Sequence, residues 1–124
     1  MRTNKLLYIA GPYSGDTQEN IKRAEMVSVN LIRQGFHVIT PHKNTAGYEK
    51  YEDGTLTYET WLKMDLDILS RCDAVYVMTG SEDSQGVKKE IEFARERGIQ
   101  VIYEAEYPSD GFSLDEYYTM EMKI

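Results

Sequence analysis

Two carboxylates stand where helices should bury apolar side chains. From Tyr58 to Arg71, the spacing of Tyr58, Trp61, Leu62, Leu66 and Leu69 predicts an amphipathic helix, and Asp65 falls inside its apolar stripe. From Gly86 to Arg97, Val87, Ile91 and Ala94 mark an inward face that also holds Glu90, while Lys88, Lys89, Glu92, Arg95 and Glu96 mark the outer face. Taking an unpaired carboxylate out of water costs several kcal/mol or raises its pKa, so such a residue has a partner or a task. One reading makes each a structural acid, held by backbone donors or by a buried tyrosine or lysine. The other gives them chemistry. Glu90 lies near a helix start, where the dipole favours an ionised carboxylate, and such a group at a cleft is a usable nucleophile toward an anomeric carbon. Asp67, by contrast, has Lys63 and Arg71 at four-residue spacing and reads as solvated.

Ser84 and Gly86 immediately precede the second of these helices. Glycine lets a ligand approach the backbone, serine offers a hydroxyl, and helix N–H groups favour an anion, although serine and glycine are also ordinary helix caps. The segment Gly11-Pro12-Tyr13-Ser14-Gly15-Asp16 is neither a Walker loop nor a dinucleotide fingerprint. His37 and His42 have no second ligand set nearby, so no metal is expected. Cys72 precedes a strand and reads as core, not as a nucleophile.

The elements that must position these residues alternate. Strands are expected at Lys5–Ala10, Phe36–Thr40, Ala74–Met78 and Ile99–Tyr103. Helices are expected at Thr17–Gln34, Tyr58–Arg71 and Gly86–Arg97, with a last short one between Ser113 and Met122. Asp16 or Thr17 can cap the first helix, and Gly35 ends it. Pro41–Thr57 reads as a long polar loop, and loops of that length in compact domains are functional or mobile. The pattern predicts an α/β fold: a Rossmann- or flavodoxin-like parallel sheet of four to five strands with helices on both faces, as a single domain over 1–124. Ligands of such sheets sit beyond the carboxyl ends of the strands, where Gly11–Asp16, Pro41–Thr57 and Thr79–Gly86 converge.

Bulk properties narrow the partners. The chain has 124 residues, 41% hydrophobic and 28% charged, which suits a folded domain with a real core. A net charge of −7 disfavours binding to a nucleic-acid polymer, which needs a basic footprint, but leaves room for a small phosphate-bearing ligand. No apolar run is long enough for a membrane span or a signal peptide, and a lone cysteine suits a reducing compartment, so a cytoplasmic location is expected. The ten tyrosines read as packing residues, with nucleobase stacking open for one or two of them.

These pieces, taken in order, form one pattern. Tyr8-Ile9-Ala10-Gly11-Pro12 with Tyr13-Ser14-Gly15, then Asp65-Leu66 with Asp73-Ala74-Val75, Ser84-Gln85-Gly86, Glu90-Ile91 with Ala94, and Gly98-Ile99 run over about residues 5–103. The chain resembles the nucleoside 2-deoxyribosyltransferase-like superfamily, especially small members described as domains of unknown function (the DUF4406 type). The resemblance implies a catalytic set of Glu90, Asp65 and Tyr8. Glu90 falls at the nucleophile that forms a glycosyl-enzyme ester, Tyr8 at the tyrosine that orients it, and Asp65 at the carboxylate that contacts the base and helps protonate it. Asp65 among apolar neighbours suits the acid, and Glu90 at a helix start the nucleophile. Ser84 departs from the transferases acting on free nucleosides, which carry aspartate there, and matches relatives that hydrolyse nucleoside 5′-monophosphates. Gly11, Pro12, Tyr13, Ser14, Ser84 and Gly86 are then the substrate- and phosphate-binding candidates.

The resemblance implies an N-glycosidase or N-deoxyribosyltransferase that needs no cofactor, and a homodimer or larger assembly with Tyr117 and Tyr118 as candidate contacts. A loosely packed terminus is the alternative for those two residues. A non-catalytic nucleotide-binding or sensing module is the rival reading. A purely structural protein is a third, and leaves the inward acids unexplained.

Overall fold

The structure is a computed structural model that describes residues 4–121. Alternation along the strands sorts two apolar layers. In β1 (Leu6–Ala10), Leu7 and Ile9 join one core cluster while Tyr8 and Ala10 join the other, as the two-residue strand period requires. β2 (His37–Ile39), β3 (Ala74–Val77) and β4 (Gln100–Tyr103) complete a four-stranded sheet of order β2-β1-β3-β4, parallel throughout. The register sets Tyr8 opposite Ile39 on one side and Val75 on the other.

Helices cover both faces. Helix α1 (Thr17–Arg33) brings Ala24, Val27 and Leu31 onto Leu7, Ile9 and Tyr76. Its start is capped by Asp16, whose side chain accepts from the Glu19 amide at 3.3 Å. Gly35, at φ +104°, follows the helix in a conformation that disfavours any other residue and turns the chain into β2. On the opposite face, α3 (Tyr58–Leu69) and α4 (Gln85–Glu96) set Leu69, Val87 and Ala94 against Tyr8, Ala10, Val75 and Val77. Each large apolar side chain so buried contributes about 1.5–3 kcal/mol. Exposed ion pairs such as Arg71–Asp67, at 3.4 Å, contribute about 0–1, so the two apolar layers dominate stability.

Two expectations change. The segment Pro41–Thr57 is not uniform loop. It holds a short helix α2 (Pro41–Asn44), with proline at the first helical turn where its missing N–H costs nothing, and a 3-10 turn at Tyr48–Tyr51. Tyr117 is neither an exposed contact residue nor loosely packed. It lies in α5 (Leu114–Glu121), fully buried, its ring 6.0 Å edge-on to Phe36. Met122, the expected end of this helix, lies outside the described residues.

β1 connects to β2 on one flank and pairs with β3 on the other, so the strand order reverses at β1. The crevice between the carboxyl ends of β1 and β3 is where such a sheet offers a ligand site.

Candidate active site

A cleft of about 440 Å³ opens at that crevice, a volume suited to a small organic ligand. Four segments wall it. The β1–α1 loop gives Gly11, Tyr13 and Ser14; the segment after β2 gives His42 and Glu49; α3 gives Trp61 and Asp65; and the start of α4 gives Ser84, Gly86 and Glu90. Eight of the nine residues singled out from sequence therefore lie at one place or directly behind it. Pro12 does not line the cleft. Its carbonyl accepts a hydrogen bond from His42 Nε2 at 2.9 Å and so holds the imidazole against the β1–α1 loop.

Tyr8 lies behind the wall. It is wholly buried in β1, and its hydroxyl donates to Glu90 Oε2 across the face of the sheet. The link follows from the fold: Tyr8 occupies the layer beneath α3 and α4, and the inward face of α4 carries Val87, Glu90 and Ala94. Burial foremost, then the neighbouring charges of Glu90 and Asp65, push the Tyr8 phenol far above its ordinary range, so it is a permanent donor.

Glu90 is 7% exposed, and its pKa is pushed up to about 8. Burial is the chief cause; the Tyr8 hydrogen bond opposes it and the Asp65 charge adds to it. Asp65 is raised to about 6 by burial alone. Burial thus raises both carboxyls, and Glu90, the deeper of the two, the more. The helix dipole fades within one turn, whereas Glu90 is the sixth residue of α4 and its burial dominates. The Asp65 charge acts on Glu90, so the two acids titrate as a coupled set.

Ser84 caps α4, its hydroxyl oxygen accepting from the Val87 amide at 3.3 Å, which leaves the hydroxyl proton for a ligand. At Gly86, an added Cβ would stand 3.6 Å from the Tyr58 hydroxyl and 3.9 Å from the Ser84 hydroxyl, ordinary contacts. Nothing in the protein forbids a side chain there, and one would fill cleft space beside Ser84. Gly11 differs. A Cβ there would approach the Met78 sulfur to 2.5 Å, so close packing on a buried methionine explains the glycine. Gly11→Ala should destabilise the fold by about 1–3 kcal/mol in a denaturant melt, as overpacked cores do.

The β1–α1 loop is held by Asn20, whose amide donates to the carbonyls of Tyr13 and Ser14 at 3.3 and 3.0 Å. Across the mouth, the Tyr13 hydroxyl donates to Glu49 at 3.3 Å, and the Trp61 indole N–H to Glu52 at 2.6 Å. These contacts tie the 3-10 turn region to both walls.

Sequence reasoning missed His42, Glu49, Glu52 and the lining role of Trp61. His42 was weighed as a metal ligand only; its place just beyond the carboxyl end of β2 was the signal that could have found it. Among the described residues, no three His, Cys, Asp or Glu side chains cluster as a metal site requires. Cys72 is buried in the core cluster under α3 and α4, as expected.

Comparison with solved structures identifies the fold. A 2-deoxyribosyltransferase from Bacillus psychrosaccharolyticus is 20% identical and superposes with a TM-score of 0.61, covering 79% of this chain and 70% of that one. The 2-deoxyribosyltransferase from Leishmania mexicana is 19% identical with a TM-score of 0.60, covering 88% and 77%. The CMP N-glycosidase BcmB from Clostridium botulinum is 18% identical with a TM-score of 0.54, covering 97% and 100%. The fold is nucleoside 2-deoxyribosyltransferase-like, as the sequence motifs implied. No curated protein matches the sequence. One family model does, over residues 5–104: a domain of unknown function (DUF7768), in place of the DUF4406 type.

Proposed function

The chain belongs to the DUF7768 family, and from that premise we propose that it cleaves the N-glycosidic bond of a (deoxy)nucleoside 5′-monophosphate through Glu90, releasing the base to water or exchanging it for another. The observation that carries this reading is the buried Tyr8–Glu90 hydrogen bond beneath a cleft that Asp65 also lines. A carboxylate held by a phenol at the wall of a nucleoside-sized cleft is equipped to attack an anomeric carbon. A Glu90 oxygen bonds to that carbon as the carbon–nitrogen bond breaks and its electron pair leaves with the base. The proton that the two coupled acids share leaves with the base through Asp65, directly or by way of water. Water, or a second base, then attacks the same carbon, freeing Glu90 and returning a proton to Asp65. The fold is shared with transferases and a glycosidase of nucleosides and nucleotides, which supports the reaction class.

The phosphate belongs at the start of α4. A helix start favours an anion, Ser84 adds a hydroxyl whose proton is not used in its cap, and the Lys89 ammonium stands 5.5 Å over the ring of Tyr58, whose hydroxyl lies near Gly86. Among the described residues no Lys or Arg lines the cleft itself, whereas Glu49, Glu52, Asp65 and Glu90 do, so a helix start with Lys89 close by suits a phosphate better than the acidic mouth. Ser84→Ala should weaken monophosphates about tenfold, leave nucleosides unchanged, and cost about 1 kcal/mol of stability through the lost cap. Titration of both ligand types against both proteins checks it.

A second reading is favoured by one observation. Burial raises the Glu90 pKa to about 8, which disfavours the ionised nucleophile and suits a binding or sensing module without turnover. Incubation with ribo- and deoxyribonucleoside 5′-monophosphates, with and without an acceptor base, separates the two. Free base in the chromatogram supports the enzyme; ligand retained intact across the whole panel supports the module.

A further inference from the structure

Among the described residues, only two buried side-chain polar atoms lack a hydrogen-bond partner: His42 Nδ1 and Asp65 Oδ1. Both residues line the same cleft. Unpaired buried polar atoms are uncommon in native folds, and two at one cavity call for a ligand that pairs them.

Both atoms are acceptors. The Pro12 carbonyl can only accept, so the proton of the neutral imidazole sits on Nε2 and Nδ1 carries a lone pair. Burial lowers the His42 pKa and so favours the neutral ring; the Pro12 hydrogen bond opposes this, and the charge of Arg23 adds to it. Asp65 Oδ1 accepts whether the carboxyl is ionised or carries its proton on the other oxygen. Glu49 and Glu52 at the mouth add acceptors, each with one oxygen engaged by a protein donor.

Topology says which part of a substrate meets them. Ser84 and Gly86 start α4, on the β3 side of the cleft. His42 follows β2, on the opposite flank of β1, and Asp65 lies on α3 with Trp61 one turn before it. With phosphate at the start of α4 and the anomeric carbon at Glu90, the base falls between Tyr13, Trp61, His42 and Asp65, two aromatic rings and two free acceptors.

The geometry points to a substrate whose base carries an exocyclic amino group, as cytosine and adenine do, recognised by His42 Nδ1 and Asp65 Oδ1. An amino nitrogen presents two N–H donors, the kind of group both atoms accept from. An oxo group in its place, as in uracil or hypoxanthine, sets acceptor against acceptor and leaves both protein atoms unpaired. Sites built to pair a polar substrate group reject the analogue lacking it more strongly than apolar pockets reject a change of size. This inference rests on the proposed orientation of a nucleotide in the cleft, not on turnover.

The test is calorimetric binding to Glu90→Gln, which removes cleavage, with two pairs differing only at that group: cytidine against uridine 5′-monophosphate, and adenosine against inosine 5′-monophosphate. The expected result is binding of the amino member at least about 30-fold tighter in one pair or both. Adding Asp65→Asn, whose carboxamide can donate to an oxo group, should shrink the gap to a few-fold, with circular dichroism showing the variant folded. Equal binding within each pair, tighter binding of the oxo member, or a gap untouched by Asp65→Asn overturns the inference. Base release by the unmodified protein is measured in parallel. Release without amino preference leaves the glycosidase reading standing and removes this one, and amino-selective binding without release does the reverse. Binding of no nucleotide removes both.

Discussion

Glu90→Ala should lower base release by on the order of 10⁴-fold or more while nucleotide binding stays within about tenfold of the unmodified protein. The asymmetry follows from position. Glu90 meets the cleft from one wall, whereas the groups proposed to hold the ligand, the Ser84 hydroxyl and the start of α4 at one end and the aromatic and acceptor groups at the other, lie elsewhere in its lining. Loss of binding in parallel with loss of turnover would instead make Glu90 a recognition residue. Steady-state rates by chromatography, with calorimetry on the same preparations, separate these outcomes. Tyr8 is not an independent donor to substrate, since it is wholly buried behind Glu90 and makes its hydrogen bond there. In the proposed reaction its part is to position Glu90.

Glu90→Gln should make the protein more stable at alkaline pH, by on the order of 2–4 kcal/mol. The Glu90 carboxyl is raised from 4.5 to about 8, chiefly by burial. Between those values the folded state keeps a proton that the unfolded state has released. The stability that Glu90 contributes is therefore complete below about 4.5, falls as pH rises toward about 8, and stays low above it. Glutamine keeps the shape and never ionises, so the variant should match the parent near pH 5 and exceed it near pH 9. Denaturant melts at the two pH values measure the difference. A difference that does not change with pH would mean Glu90 is already ionised in the folded protein. The carboxylate costs stability, which is what a reactive group held in a dry wall should do.

Much of the fold was legible in the sequence because its signals are local. Short apolar runs ending at Gly11 and Pro41 marked β1 and β2, and Asp16, Ser84 and Gly35 marked helix ends. Asp65 and Glu90 were visible because a charge on an apolar helical face breaks the helical period. What was not legible depends on contacts between distant segments. The structure inside Pro41–Thr57 is set by Tyr13, thirty-six residues before Glu49 in sequence, and by Trp61 bonding to Glu52. The balance of charge between Glu90 and Asp65 depends on depth of burial, which a helical wheel does not give. Tyr117 looked like a surface residue because its helix is acidic, yet Phe36 and Phe112 take it into the core. His42 stayed hidden because its meaning lies in an unpaired Nδ1, and only the Pro12 carbonyl reveals which nitrogen is left free.

The central claim is a covalent bond between Glu90 and the sugar. Acid quenching during turnover, followed by mass spectrometry of the intact protein and its peptides, tests it directly. The expected result is a protein heavier by one sugar phosphate residue, with the added mass on the peptide containing Glu90 and absent from Glu90→Ala. Base released at full rate with no adduct at any quench time, or with the added mass on another residue, would contradict it.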